Sequence, residues 1–379
     1  DALHRALGAA AWADAAVPPP AAPRTLGGAA DGGASPPART LVAMSGGVDS
    51  AVAALLSEGE VVAVTLELWR DPENDAEASC CSASAVRMAR AVAHRLGLPH
   101  LTLDLREQFA DGVVRPWLDD HAAGLTPNPC VRCNGHVRLD AMVQLADRLG
   151  AATLATGHYA RRTEDGLLRA AADPAKDQTY MLAALSRATL ARLRFPLGEL
   201  TKPEVRALAR EHDLPVADKA DSQDLCFLAG TGRERFLARH GGLRERPGDV
   251  VDRGGRVLGR HRGAFRYTVG QRRGLGVHAA RPLYVVATDA RANTVTVGPR
   301  EELLTDRVRI RGLRLHADPA EVDAVRLRYH APALPCRLED GEVVLDEPFA
   351  GAAPGQAAVL LRGDVVVGCA TIAAARRTG

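Results

Sequence analysis

From Thr40 onward, short apolar runs alternate with stretches whose apolar residues recur every three to four positions. An apolar run of a few residues bounded by turn formers predicts a strand, and a period near 3.6 predicts a helix. On that basis the chain reads as strand 40–44, helix 50–58, strand 60–66, helix 84–96, strand 101–104, helix 134–149 and strand 151–155. Strands that alternate with helices predict a parallel sheet covered by helices, an α/β layer. Ligands in such sheets sit beyond the carboxyl ends of the strands, here Ser45, Leu66 to Trp69, and Thr156-Gly157-His158.

Helical pieces continue after Asp173, among them Thr201-Lys202-Pro203-Glu204, which has capping-box spacing with Pro in the first turn. Beyond about residue 225 the texture changes to short β-type runs separated by Gly, Pro and Asp-Gly, at 248–260, 283–298, 307–313, 325–329, 343–345, 357–362 and 365–371. The expected organisation is therefore a parallel-sheet α/β domain over 40–224, a small central β-rich domain over 225–303 and a C-terminal β-barrel over 304–379. Residues 1–39 are dominated by Ala, Pro and Gly without a period that could bury a face, and read as a disordered extension. No uninterrupted apolar stretch approaches the roughly 20 residues of a membrane span, so no membrane partner is expected.

Composition narrows the chemistry only a little. Apolar content of 46% and charged content of 25% are those of ordinary globular chains. A net charge of +2 excludes a uniformly basic surface, so any nucleic-acid contact has to come from local arginine clusters. Arginine supplies nearly all the positive charge, and lysine occurs only at 176, 202 and 219. The seven cysteines at 80, 81, 130, 133, 226, 336 and 369 are an odd number in a chain without a secretory signal pattern. That favours a reducing compartment, a cytoplasmic location, and cysteines used for chemistry or metal. Cys336 and Cys369 lie in β-type runs and read as core.

The strongest local motif is Ser45-Gly46-Gly47-Val48-Asp49-Ser50, directly after the apolar run Leu41-Val42-Ala43-Met44. Two glycines let backbone N–H groups approach an anion, Ser45 and Ser50 add hydroxyl donors, and the following helix contributes the positive end of its dipole. This is a pyrophosphate seat, and it differs from a Walker loop in having no lysine after the second glycine. Cleavage of ATP between the α and β phosphates fits it better, and the pattern resembles the PP-loop family of ATP pyrophosphatases. The candidate ATP residues are Ala43, Met44, Ser45, Gly46, Gly47, Val48, Asp49 and Ser50, joined by Leu66 and Gly157 on the adenine side. Asp49 is the candidate ligand for the Mg²⁺ that a triphosphate brings, with helix capping as its other reading.

A second constellation is Asn128-Pro129-Cys130-Val131-Arg132-Cys133-Asn134, together with the distant Asp221-Ser222-Gln223-Asp224-Leu225-Cys226-Phe227. A cysteine at a helix N-terminus is shifted toward thiolate, so Cys133, with Asn134 as the cap, is a candidate nucleophile. The alternative is that Cys130 and Cys133 form half of a structural zinc site completed by Cys80 and Cys81.

Six ordered motifs carry a more specific resemblance: MSGGVDS at 44–50, TPNPCVRCN at 126–134, ATGHYAR at 155–161, KDQTYML at 176–182, DSQDLCF at 221–227 and VGQRRGLG at 269–276. From residue 40 almost to its end the chain resembles the bacterial tRNA-specific 2-thiouridylase family. The resemblance implies ATP-dependent adenylation of the 2-carbonyl of the wobble uridine in tRNA of the Lys, Glu and Gln type, then replacement of that oxygen by sulfur. It implies Cys226 as persulfide carrier, Cys133 as partner thiol that either frees the sulfur or closes a disulfide after transfer, and a sulfur-donor protein such as a cysteine desulfurase or relay protein. It assigns tRNA contacts to Asn128, Pro129, Cys130, His158, Lys176, Asp177, Gln178, Arg328, Tyr329 and Gln356. Cys130 stands where many relatives carry Asp, so Cys130, Cys133 and Cys226 are also candidate ligands of an iron–sulfur cluster, a second route to the same product. An adenylating ligase acting on a small molecule is the remaining alternative, one with no use for the two cysteines.

Overall fold

The computed structural model describes residues 38–71, 82–221, 225–228 and 230–376. The expected extension through residue 37, Cys80 and Cys81 therefore lie outside the described residues, as do Ser222, Gln223 and Asp224.

The first layer is a parallel five-stranded sheet in the order β3-β2-β1-β4-β7, with β1 Arg39–Ala43, β2 Glu60–Glu67, β3 His100–Asp104, β4 Ala151–Ala155 and β7 Leu193–Arg194. Alternate side chains of the central strands feed two separate cores, as the pleat requires. Leu41, Val64, Leu103 and Leu154 pack on one face, while Val42, Ala63 and Ala155 pack on the other. Helices cover both faces: α1 Val48–Leu55 and α2 Ala83–Arg95 lie on the Val42 side. The order reverses at β1, which has β2 on one flank and β4 on the other. The crevice at that reversal is where a ligand fits between strand ends in an open α/β sheet.

The helix expected over 134–149 begins earlier. After α3 Arg106–Phe109 and α4 Arg115–Ala122, joined by a π segment at Ala110–Val114, comes α5 Pro129–Cys133, then a second π segment at Asn134–Arg138 and α6 Leu139–Arg148. Its cap is Asn128, whose Oδ1 accepts from the N–H groups of Cys130 at 3.0 Å and Val131 at 3.3 Å. Asn134 is therefore not the cap. An Asn followed by Pro at the first helical position is the stronger start signal, because proline has no N–H to leave orphaned. Cys130 consequently sits in the first turn and Cys133 one turn in.

β5 Arg161–Arg162 and β6 Leu168–Arg169 form a hairpin that the sequence pattern did not predict. Its second strand leaves the catalytic layer and pairs with the last strand of the chain, Leu168 opposite Val366 and Arg169 opposite Val365. After α7 Thr179–Leu182, α8 Arg187–Arg192, α9 Lys202–Glu211 and α10 Arg233–Gly241 comes a four-stranded sheet of order β10-β11-β8-β9. Its strands are β8 Gly248–Val251, β9 Val257–His261, β10 Tyr284–Asp289 and β11 Thr294–Gly298.

The C-terminal barrel consists of β12 Leu304–Leu315, β13 Ala324–Arg326, β14 Leu334–Glu339, β15 Glu342–Ala350, β16 Ala357–Arg362 and β17 Val365–Arg376, closed by pairing of β12 with β17. Closure removes the free edges that an open sheet would expose. Strand β14, absent from the expected runs except through the β-type reading of Cys336, carries Pro335 and that buried cysteine. The run expected over 325–329 ends at Arg326, so Arg328 and Tyr329 belong to the turn beyond it. Buried Cys336 and Cys369 pack in the cores, as expected.

Candidate nucleotide and thiol site

The loop after β1 is set by its own hydroxyls. Ser50 Oγ accepts from the Ser45 N–H at 3.1 Å, contacts Ser45 Oγ at 3.2 Å and donates to the Gly47 carbonyl at 3.0 Å. The α1 N-terminus has Gly47 at its cap with no side-chain hydrogen bond there, which leaves first-turn N–H groups for an anion. Gly46 has φ +70, and a Cβ there would lie 2.4 Å from the Ala85 carbonyl oxygen. Gly157 is needed for a different reason, since its Cβ would lie 2.7 Å from the Asp49 carbonyl carbon and 2.8 Å from the Ser50 nitrogen. It lets the turn after β4 close onto the loop.

All three lysines of the chain, absent from the loop itself, converge on it. Lys202 Nζ at the start of α9 lies 2.7 Å from Asp49 Oδ1 and 2.8 Å from Asp221 Oδ1. Lys176 Nζ is 2.8 Å from Asp221 Oδ2, Arg206 is 3.0 Å from Asp221 Oδ1, and Lys219 Nζ donates to the Gly46 carbonyl at 2.9 Å. The Tyr159 hydroxyl donates to Asp49 Oδ1 at 2.9 Å. Burial alone would raise the Asp221 carboxyl, but hydrogen bonds and charge from Lys176 and Lys202 outweigh it and hold the group at about 2. Lys202 and Lys219 were missed in the sequence reading. Their signal was scarcity: an arginine-biased chain that keeps three lysines has put all of them here.

Leu66, expected on the adenine side, lines a narrow recess with Met44, Ser45, Leu68, Arg138 and Met142, which leaves only about 10 Å³ of free space. Arg138 Nε is buried there without a hydrogen-bond partner. His158 stands beside it, with Nδ1 2.7 Å from Thr156 Oγ1, and burial followed by the Arg138 charge pulls its pKa down to about 3. It is a neutral imidazole at physiological pH.

The expected RNA-facing residues fall into two groups. Asn128, Pro129 and Cys130 meet α7, where Asn128 Nδ2 lies 3.8 Å from Met181 Sδ and Asn134 Nδ2 donates to the Met181 carbonyl at 3.3 Å. Tyr329 stacks at 5.9 Å on Tyr180, and its hydroxyl is raised by burial and then by the charges of Asp177 and Cys130. Gln356 Nε2 donates to the Thr126 carbonyl at 2.6 Å, which joins the barrel to the loop before α5. These groups surround one another. Gln178 and Asp177, by contrast, are engaged internally. Gln178 Oε1 accepts from the Tyr159 N–H at 3.0 Å, and the buried Asp177 carboxylate takes Thr179 Oγ1 at 2.8 Å and Arg326 at 2.7 Å.

Cys133 is buried and Cys226 half-buried against the same core. Phe227 anchors the second thiol, with ring contacts to Trp117 at 5.2 Å, Phe236 at 5.1 Å and Phe109 at 5.9 Å. Among the described residues no three of His, Cys, Asp and Glu are grouped as metal ligands, the trio Cys130, Cys133 and Cys226 included. Nor is any described helix long and apolar enough to cross a membrane.

Three family models match in succession: a tRNA methyl transferase HUP domain over residues 38–230, a tRNA methyl transferase PRC-barrel domain over 234–299 and an aminomethyltransferase beta-barrel domain over 305–372. The Bifunctional protein NifU/MnmA of Rubrobacter xylanophilus is 48% identical over 347 residues, 89% of this chain and 70% of that one. The tRNA-specific 2-thiouridylase MnmA of Geobacter metallireducens is 43% identical over 364 residues, covering 90% of this chain and 98% of its own. That of Thermus thermophilus is 44% identical over 350 residues, 88% and 94% of the two chains.

Proposed function

The chain belongs to the tRNA-specific 2-thiouridylase family, and from that premise we infer that it is a tRNA-uridine 2-sulfurtransferase that spends ATP on a wobble uridine. The observation that carries this reading is one helical run from Pro129 to Arg148. It bears Cys130 and Cys133 at its start, and Arg138 and Met142 against the nucleotide recess. A π turn between the two ends, a feature enriched at functional sites, sets their relative rotation.

The uridine 2-oxygen attacks the α-phosphorus of ATP, and pyrophosphate leaves into the seat of Gly46, Gly47 and the α1 N-terminus. Lys202 supplies the cation that a Walker loop carries within itself, and it has to leave Asp49 or Asp221 partly to do so. Asp49, in the first turn of α1, would hold the Mg²⁺ that neutralises the phosphates; one or two carboxylates plus phosphate oxygens suit that ion. The outer sulfur of a Cys226 persulfide then attacks C2 and expels AMP. Cys133 thiolate attacks the Cys226 sulfur of the resulting mixed disulfide, releases 2-thiouridine and leaves a Cys133–Cys226 disulfide for external reduction. Neutral His158 and the half-buried Tyr329, backed by the buried Tyr180, offer uncharged surfaces to an unstacked base.

Methyl transfer, after which two of the matched domain families are called, has no use for a pyrophosphate seat or a thiol pair. The deciding experiment supplies ATP, unmodified tRNA and a persulfide donor, and quantifies 2-thiouridine, AMP and pyrophosphate. Equal amounts of the three are expected. AMP formation without thiolated nucleoside would overturn the reading in favour of a ligase.

A further inference from the structure

Strand β12 carries arginines at 307, 309, 311 and 314. Strict alternation along a strand would send Arg311 and Arg314 to opposite faces. Between them, however, the register against β17 slips. Arg311 lies opposite Thr371 and Arg314 opposite Cys369, so three steps on β12 match two on β17. The extra residue forms a bulge at Gly312, whose φ of +64 suits glycine, and a bulge of this kind re-aims a side chain.

Both arginines thereby line one cleft of about 430 Å³ between the barrel and the catalytic layer, whose opposite wall includes Asn128, Pro129, Arg132 and His136. Its volume falls in the roughly 300–1,000 Å³ range of small-ligand sites. Arg307 on the same strand is committed to Glu342 at 3.4 Å and Glu339 at 3.6 Å, whereas among the described residues neither Arg311 nor Arg314 has a side-chain hydrogen bond or ion pair. Asp119 and Asp120 also border the cleft, and burial raises the Asp120 carboxyl while pulling His136 toward its neutral form. Three guanidinium groups against two carboxylates leave one net positive charge, the complement of one phosphodiester.

We propose that this cleft is an RNA-backbone site in which Arg311 and Arg314 clamp the phosphate of a nucleotide flanking the reacting uridine. The proposal rests on the tRNA reading above. Asn128 and Pro129 border both this cleft and the thiol site, so a strand whose target base reaches Cys133 has a continuous path into it. Guanidinium forks suit phosphate, and such contacts position RNA without reading its sequence.

The test measures binding of unmodified tRNA from 50 to 200 mM KCl for the wild type, the double variant Arg311→Gln/Arg314→Gln, its Arg311→Lys/Arg314→Lys counterpart, and the control Arg253→Gln/Arg256→Gln on the central sheet. Affinity of the Gln pair should fall about tenfold, and its slope of log affinity against log salt should flatten by about one, as for one or two lost phosphate contacts. The Lys pair should keep most of the slope, and the control should match the wild type. Unchanged affinity and slope in the Gln pair, or equal losses in the control, would overturn the proposal while wild-type thiolation still stood. A wild type that neither binds nor thiolates tRNA would overturn the underlying reading as well.

Discussion

Lys202 Nζ and Asp49 Oδ1, 153 positions apart in sequence, lie 2.7 Å apart in the fold. The pair ties the start of α9 to the first turn of α1, and Asp221 shares the same ammonium. Replacing Lys202 with Met should cut ATP-dependent pyrophosphate release by roughly 10²-fold or more, the usual loss when one preorganised donor to developing charge is removed. Two carboxylates would also be left without their shared cation. Lys202→Arg should restore much of the melting temperature but little of the rate, because its planar fork cannot replace a compact ammonium between two carboxylates and a phosphate. Parallel calorimetry and pyrophosphate release would check both halves.

The aromatic anchor of Cys226 makes a separate prediction. Phe227→Ala removes a ring packed on Trp117, Phe236 and Phe109, a change that costs about 3–5 kcal/mol in a buried site. Sulfur transfer should fall far more than nucleotide binding, since none of these rings lies among the residues of the recess proposed for the nucleotide. Cys226→Ser should fold normally, bind ATP and fail to carry a persulfide, as read by mass spectrometry of the loaded protein.

Asp177 was expected to contact tRNA, but its carboxylate lies buried between Thr179 and Arg326. Removing one partner of a buried, hydrogen-bonded pair typically costs about 3–5 kcal/mol. Asp177→Ala should therefore lower thermal stability markedly, and Asp177→Ala/Arg326→Met should recover part of the loss. A single variant with wild-type stability and weakened tRNA binding would instead assign the residue to the RNA surface.

Acid should destabilise the fold through histidines that it keeps neutral. Burial lowers His100 and His121 to about 4 and His158 to about 3. The unfolded chain protonates these rings near 6.5, so it binds more protons than the native state below that pH. Stability is thus fully present above about 6.5 and declines as the pH falls toward 4. Asp221, depressed to about 2, adds its own loss only below about 4, as the pH falls toward that value. Melting temperatures recorded from pH 8 to 4 should fall most steeply below 6.5, and His158→Gln should blunt the fall.

Strand β1, its Gly-Gly loop and the parallel layer were legible because their signals are local: an apolar run, two glycines, and alternation that matches the pleat. The helix start was misplaced by five residues because Asn134 has cap chemistry too, and only the Asn128-Pro129 pairing outranks it. Strand β14 was legible only through Cys336, because Pro335 opens the strand opposite Ala324 without an N–H to donate and so weakens the local β pattern. The β5–β6 hairpin has two residues per strand and borrows its stability from β17, so no window of sequence contains its cause. Lys202 looked like an ordinary first-turn residue beside a capping box; what gives it a role is contact with Asp49 and Asp221, which no spacing rule anticipates.

The β5–β6 hairpin, which follows β4 of the parallel layer in the chain, is hydrogen-bonded into the sheet of the barrel, with Arg169 also paired to Asp364 at 2.7 Å. The barrel is thereby sewn to the first domain by main-chain hydrogen bonds as well as by side chains, like a tab of one piece stitched into the hem of the next, so deleting the hairpin would unpick a seam rather than shorten a loop.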